Sequence, residues 1–498
     1  MLLIYPPSAR STEPPLGISK LAAFLKARGR EALCLDLNHE GLEYLLSLEA
    51  VPADTWTRRA LKSRERNFEA FRERKTFDGI DRYKRTVADS DKALGALSSG
   101  FGAQAGLADY RDFERSPLIV EDLLDSAVNF ESNVFYGLFV SRLPALVDSL
   151  SEKIVGISLV YLSQALNAFA LAGFLKRNFP MVKIIAGGGL VTSWMSSRKP
   201  EIQNRFNDYI DAFIPGRGED GLVSYFGLGP GIDEEAPSFD DFPLKRYLSP
   251  MTVIPHSFSW GCSWKRCSFC PERAEGQIFR GSRDEDARAV LERLEDRYKP
   301  GLFHFTDNEL APSILRLLLE RKAATPWYGF ARFSKVLSDP DFCRRLSDSG
   351  CLMLQLGLES GDDRVLEALG KGIDTELVDL VLKNLSAAGI SAFVYVLFGT
   401  PVEDRDSALR TRDFLASRAG IIEFINIALF NMPVGSPEAK LYETRDFYGA
   451  DLSLYREFVH PKGWNRDSVR RFISEDFEGE RAIKEIILRN PPVFSSNH

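Results

Sequence analysis

Apolar and polar residues follow two different periods along this chain, and the switches between them divide it into units. The first 40 residues open on an apolar run, "LLIY", pass through a Pro- and Ser-rich stretch, "PPSARSTEPPLG", and continue with "ISKLAAFLKARG". In that last segment Ile18, Leu21, Ala22 and Leu25 recur at helical spacing, and Gly29 stands where a left-handed cap would end the helix. "REALCLDL" then predicts a second strand. From about 41 to 150 the rhythm stops: charged helical stretches such as "TRRALKSRERNFEAFRERK", a small-residue loop "LGALSSGFGAQAGLADY" and an apolar-faced helix over 137–150 read as an insertion. It resumes with strands over 153–160 and 182–189, a helix at 163–178 between them, and "DAFIPGRGED" (211–220) leading into a further helix. Five short apolar strands separated by helices predict a Rossmann-like, flavodoxin-like doubly wound parallel sheet. Ligands of such sheets sit beyond the carboxyl ends of the strands, here the loops 6–17, 158–163, 186–190 and 215–219.

Pro and acidic residues over 229–250 read as a linker, after which a second series of units starts at "MTVIPHSFSW". Strands are predicted at 302–306, 327–331, 352–358, 391–398 and 424–429, with helices at 284–298, 312–323, 338–348, 375–388 and 403–417. Six consecutive units predict a partial (β/α)6 barrel, whose functional loops gather at the strands' carboxyl ends. The chain thus divides into 1–228, a linker at 229–250, a barrel over 251–435 and a C-terminal region, 436–498, without a motif of its own.

A length of 498 residues accommodates two or three domains with full cores, in agreement with this division. The net charge of −7 supplies no basic field for a nucleic-acid backbone, so no nucleic acid is expected as partner. No apolar run approaches the roughly 18 to 20 residues of a membrane span, and "MLLIYPPSAR" has no basic region before its apolar residues, as a signal peptide would. These features predict a cytoplasmic location. A reducing compartment disfavours structural disulfides and favours metal or catalytic roles for clustered thiols. Cys34, Cys343 and Cys351 stand alone in apolar surroundings and read as buried, inert thiols.

The other three cysteines lie in "GCSWKRCSFC", spaced C-x4-C-x2-C just past the first barrel strand. Three thiolates can converge on a metal centre and leave one coordination position open. A structural zinc site would want a fourth ligand, for which His256 is the nearby candidate, and a thioredoxin-like pair would use only Cys267 and Cys270. The loop by itself leaves zinc, redox pair and iron–sulfur cluster open.

With the segments that follow it, this loop resembles that of the radical SAM superfamily. There, three cysteines hold a 4Fe–4S cluster whose remaining iron takes the amino and carboxylate groups of S-adenosylmethionine. The usual spacing is C-x3-C-x2-C, so the loop here carries one residue more, with a Trp two positions after the first cysteine. The resemblance implies Cys262, Cys267 and Cys270 as cluster ligands, with Phe269 as the aromatic before the last. "FHFTDNEL" resembles the second-strand motif and nominates Asp307 and Asn308; "FARFSK" nominates Arg332; "LQLGLESGDDRVLEALGKG" nominates Glu359 and Ser360. "GISAFVYVLFGTPVED" and "IALFNMPVGSP" resemble the fifth- and sixth-strand motifs and nominate Gly399 and Asn431. Taken singly, Asp307 with Asn308 and Glu359 with Ser360 read equally well as helix caps. Their order along the barrel is what carries the resemblance.

The first domain resembles the cobalamin-binding domain that precedes the barrel in a large radical SAM subgroup, through "YPP", "EPPLG", "VGISLVYLS", "AGGG" and "PGRGED". That implies contacts to cobalamin from Leu16, Gly17, Ser158, Tyr161, Gly187, Gly188, Gly189, Gly216, Gly218 and Glu219. Glycines at 187–189 would let backbone approach a flat ligand closely. His39, in "DLNHEG", does not match the D-x-H-x-x-G pattern of proteins that ligate cobalt through histidine, and reads as a surface loop residue.

The resemblance implies an enzyme in which a reduced cluster cleaves S-adenosylmethionine to a 5'-deoxyadenosyl radical that takes hydrogen from an unactivated C–H. The implied outcome is cobalamin-dependent C-methylation of a peptide or natural product, with a flavodoxin or ferredoxin as one-electron donor. The alternatives are a cyclisation or rearrangement with a cofactor-free first domain, and a zinc-binding protein.

Overall fold

The computed structural model describes residues 1–198, 200–229, 235–321 and 325–493. It separates into two compact units. The first holds Met1–Pro255 with Asp296–Lys299 and Ala450–Leu452, and the second holds His256–Glu295, Pro300–Gly449 and the chain from Ser453 onward.

The first unit is built on five parallel strands: β1 (Leu2–Tyr5), β2 (Leu33–Asp36), β3 (Ile154–Ser158), β4 (Lys183–Gly187) and β5 (Ala212–Ile214). Their order is β2-β1-β3-β4-β5, with Leu2 opposite both Leu33 and Val155 and Gly187 opposite both Ser158 and Ile214. Leu2, Leu3 and Ile4 are all buried, as happens when helices cover both faces of a parallel sheet. Strand order reverses between β1 and β3, which opens a crevice at their carboxyl ends. The helices Leu16–Lys26, Leu162–Asn178, Gly189–Arg198 and Gly218–Phe226 all begin at that edge.

The segment read as an insertion is mainly helical: Thr55–Ala70, Ile80–Ser99, Val120–Val128 and Tyr136–Ser149. The small-residue stretch 94–110 is not the loop its composition predicts. Its start continues the Ile80–Ser99 helix, because Leu97 packs with Ala60, Leu61 and Ala93. Its end pairs Ala103–Ala105 with Tyr110–Asp112 as a hairpin. Ser98 Oγ joins the two by accepting from the Ala105 N–H (2.8 Å). Of the Pro- and acid-rich stretch, 230–234 lie outside the described residues, and Phe239, Phe242, Tyr247 and Leu248 are buried.

The second sheet contains β6 (Val253–His256), β7 (Leu302–Phe305), β8 (Trp327–Ala331), β9 (Cys351–Glu359), β10 (Ser391–Phe398) and β11 (Phe424–Leu429), side by side in chain order. The pairs from β7 to β11 are parallel. The division between the units falls within β6. Helices Asp284–Tyr298, Pro312–Leu318, Pro340–Asp348, Thr375–Ala387 and Arg405–Ala416 alternate with the strands, which makes this a partial (β/α)6 barrel. The helix predicted at 312–323 stops at Leu318, and its last two predicted positions, 322 and 323, lie outside the described residues. Beyond β11 the chain forms a small antiparallel sheet (Met432–Pro433, Thr444–Asp446, Tyr455–Phe458) and the helices Arg466–Phe472 and Arg481–Arg489. Asn490 then closes the edge of β11, accepting from the Ile425 N–H (3.1 Å) and donating to its carbonyl (2.6 Å). A sheet edge is thus capped by one side-chain amide. Among the described residues, no helix is long and apolar enough to cross a membrane.

Candidate active site

The three cysteines lie on the loop that leaves β6. Cys267 is buried; Cys262 and Cys270 are half-buried. Burial, and secondarily the Glu309 carboxylate, pushes the Cys262 thiol up, and burial pushes Cys270 up to about 11. A positive centre is what would hold such thiols as thiolates. The first cations there are Arg332, whose Nη1 lies 3.9 Å from Cys267 Sγ, and Lys371, whose ammonium sits 5.6 Å from the centre of the Phe269 ring.

Glu309 was not among the predicted residues, yet it faces the cysteine loop most directly. Its Oε2 accepts from Cys262 Sγ (3.2 Å) and Ser263 Oγ (3.0 Å), and its Oε1 is 3.9 Å from Arg332 Nε. The signal was present in "FHFTDNEL". Phe303, Phe305, Asp307 and Glu309 are buried at alternate positions, so strand parity selects 307 and 309, whereas Asn308 is exposed.

Asp307 spends both oxygens on the entry to the cysteine loop, accepting from the Phe258 N–H (3.1 Å) and the Ser259 hydroxyl (2.6 Å). Glu359, the last residue of β9, adopts a left-handed backbone (φ 68°) and pairs with buried Lys371 at 2.7 Å. Ser360 is fully buried and turned to the Thr411 hydroxyl (3.1 Å). Arg332 donates to the Lys371 carbonyl (2.5 Å), so Phe269, Arg332, Glu359 and the cysteines share one neighbourhood. At the far side of the sheet, the Gly399 N–H donates to Glu403 Oε2 (2.5 Å), and Asn431 accepts from Arg466 Nη1 (2.5 Å). Glu403 is another residue the sequence reading passed over. It is fully buried, accepts from Trp464 Nε1 (3.0 Å), leaves Oε1 without a partner, and is pushed up to about 7 by burial. His460 Nε2 meets the Thr400 carbonyl at 2.9 Å beside it.

Among the described residues, no group of three or more His, Cys, Asp or Glu side chains converges on a position for a single metal ion. His256, the candidate fourth ligand for zinc, sets its ring edge-on to Phe258. Three soft thiols on one loop match the thiolate donor set of an iron–sulfur cluster.

In the first unit, the predicted residues line the carboxyl edge of the sheet. Leu16 and Gly17 open the first helix; a Cβ on Gly17 would lie 3.9 Å from Ser158 Oγ at the end of β3. Tyr161 precedes the Leu162–Asn178 helix, and its N–H donates to buried Gln164 Oε1 (3.0 Å). Gly187 ends β4, and Gly189 opens the next helix, where a Cβ would lie 3.8 Å from the Val160 carbonyl oxygen. Gly188 is required by the protein itself: at φ 110° its Cβ would stand 2.4 Å from the Leu159 carbonyl oxygen. Gly216, at φ 74° with nothing within 4 Å of a Cβ, leaves an open cradle; its N–H donates to Thr192 Oγ1 (2.9 Å). Gly218 packs on Leu21, and Glu219 is buried, 3.5 Å from Arg217.

His39 is not a surface loop residue. It lies in the first turn of the Leu37–Ser47 helix, 2% exposed, with Nδ1 2.8 Å from Ser11 Oγ and its ring 4.7 Å from that of Tyr247. Asp36 caps that helix through the His39 N–H and accepts from the Tyr247 hydroxyl (2.7 Å), so the helix starts at Leu37, two residues before His39. Cys34, Cys343 and Cys351 are buried.

Residues 257–415 match the model of the radical SAM superfamily. An uncharacterised methyltransferase of Pyrococcus horikoshii is 24% identical over 61% of this chain and 72% of its own length. The structure of the radical S-adenosylmethionine methyltransferase TsrM from Kitasatospora setae, with cobalamin and a 4Fe–4S cluster bound, superposes with a TM-score of 0.54 at 15% identity, covering 90% of this chain and 81% of that one. The cobalamin-dependent S-adenosylmethionine radical enzyme OxsB, with aqua-cobalamin and S-adenosylmethionine bound, gives 0.58 at 12% identity, covering 96% and 67%. At these identities the structural likeness is one of fold.

Proposed function

We propose that this chain, a radical SAM protein through residues 257–415, is a cobalamin-dependent enzyme that methylates carbon on a peptide or other natural product. The observation that carries the reading is the assembly of Cys262, Cys267 and Cys270 with Glu309 and Arg332 at the carboxyl ends of the first three barrel strands. The cysteines would hold a 4Fe–4S cluster. Glu309 and Arg332 offer one negative and one positive group to the ammonium and carboxylate of S-adenosylmethionine. Phe269, Glu359, Gly399 and Asn431 complete its surroundings, while Asp307 and Ser360 brace the loops that carry them. When bound, the cluster and S-adenosylmethionine supply a 5'-deoxyadenosyl radical, and cobalamin supplies a methyl carrier. The chain's part is to orient these groups and to exclude water and competing hydrogen donors.

For cobalamin, the support is the set of loops at the carboxyl edge of the sheet that carry Gly17, Gly189 and Gly216; at Gly216 nothing lies within 4 Å of a Cβ. Leu16, Ser158 and Tyr161 border that edge, with Gly187, Gly188, Gly218 and Glu219 holding its backbone in place. A small flavodoxin- or ferredoxin-like donor and a cytoplasmic setting fit the need for a low-potential electron.

Anaerobic purification and reconstitution test this. The expected protein carries about four irons per chain with a charge-transfer absorption in the visible, yields corrinoid on extraction, and moves a labelled methyl group from S-adenosylmethionine to product. Cys267→Ala is expected to lose iron and cleavage together. Zinc without iron would overturn the reading; iron without corrinoid would leave a radical SAM enzyme with a cofactor-free first domain.

A further inference from the structure

The cysteine loop is held from outside by a single turn, Leu369–Gly372, which follows the short helix Asp363–Ala368. Three consecutive carbonyls of that turn face the site. Leu369 accepts from the Ser268 N–H (3.0 Å), Gly370 from Trp264 Nε1 (2.9 Å) and Lys371 from Arg332 Nη2 (2.5 Å). Carbonyls at the end of a helix lack partners within it, and here the cysteine loop and Arg332 supply them.

Shape adds to hydrogen bonding. A Cβ on Gly372 would stand 2.1 Å from Cζ2 of Trp264, and one on Gly370 would stand 2.7 Å from the Arg266 carbonyl oxygen. Above the indole lie the Arg332 guanidinium at 4.4 Å and that of Arg266 at 4.8 Å. Trp264 and Lys265 are two of the four residues between the first two cysteines, and Lys265 takes a left-handed backbone (φ 53°) there. The long C-x4-C spacing therefore yields a loop whose spare length turns outward at Lys265 while its indole is locked against the turn.

We infer that Trp264, seated on the glycines of the Leu369–Gly372 turn, is the positioning residue that fixes the three thiols for cluster binding. The inference rests on the cluster reading above. Trp264 offers no metal-binding atom; it acts through the backbone of the loop and through Arg332, which it stacks against. Substituting it alters how the cluster is held rather than which residues hold it.

The test uses full-length protein, reconstituted anaerobically with iron and sulfide. Its readouts are iron per chain, the electron paramagnetic resonance spectrum of the reduced cluster with and without S-adenosylmethionine, and melting of the metal-free protein. Gly372→Ala and Trp264→Ala are expected to bind at least threefold less iron than the parent. The double variant, relieved of the clash, should be no worse than Trp264→Ala alone. Gly389→Ala is the control for backbone strain, since Gly389 has the same left-handed backbone (φ 74°) but open space around it; it should keep its iron. Trp264→Phe keeps a ring and drops the N–H, and should shift the spectrum even where iron is retained; it carries the test if Gly372→Ala does not fold. Parental iron content and an unchanged spectrum in folded Gly372→Ala, or an unchanged spectrum in Trp264→Phe, would overturn the inference. Failure of the parent itself to bind iron would instead overturn the cluster reading.

Discussion

Glu309 and Glu403 are carboxyls of opposite use. Glu309 is ringed by donors, Cys262, Ser263 and Arg332, and works as an anchor at the site. Glu403 is fully buried, with two donors and one oxygen left over. Raised from 4.5 to about 7 by burial, Glu403 binds its proton more tightly in the folded chain than in the unfolded one. Its contribution to stability is therefore greatest below about pH 4.5 and is lost as pH rises through 7, by roughly 3 kcal/mol over the window. Glu403→Gln keeps an acceptor for Gly399 and Trp464 and removes the titration. Melting of the metal-free protein between pH 5 and 8 should fall more steeply for the parent than for Glu403→Gln; parallel curves would contradict the assignment. Strand parity could have found Glu309, but Glu403 could not be found that way. Its burial depends on Trp464, 61 positions away along the chain.

At the level of elements, the junction after β4 shows how a parallel sheet exposes its carboxyl edge without exposing its core. Gly188 lets the backbone turn back over Leu159 at a distance no side chain permits, and Gln164 meanwhile satisfies the N–H groups of Val160 and Tyr161 and the carbonyl of Pro6. Gly188→Ala combines a strained φ with contact against backbone, a loss of about 2 kcal/mol or more. The expected result is a melting point lowered by several degrees and loss of corrinoid, with iron content unchanged. The same alanine at Gly216, where no atom lies within 4 Å, carries the strain without the clash and should cost less stability.

In the whole molecule, the region without a motif closes the second unit. Phe398 at the end of β10 packs against Phe472 (5.5 Å) and Phe477 (4.9 Å), Trp464 reaches Glu403, and Asn490 caps β11. Burying an aromatic side chain of this size contributes on the order of 2–3 kcal/mol. Truncation after residue 435 should therefore yield aggregated protein, because it uncovers Phe398 and frees the β11 edge together. A soluble, iron-binding truncation would show that the barrel stands without this region.

Much of this was legible from period and order. Short continuous apolar runs, helices at period 3.6 and the succession "GCSWKRCSFC", "TDNEL", "GLESG", "FGTP" determine the two sheets, their strand sequence and the loops proposed to carry the chemistry, because these depend on neighbours near in sequence. Tertiary structure decided what distant packing controls. His39 is drawn into a helix by Asp36 and stacked on Tyr247, the 94–110 stretch becomes helix and hairpin through contact with Ala60, and Trp264 finds its seat on a turn 106 residues further along. Composition records which residues can be buried or paired; only the folded chain brings together the partners that make burial favourable.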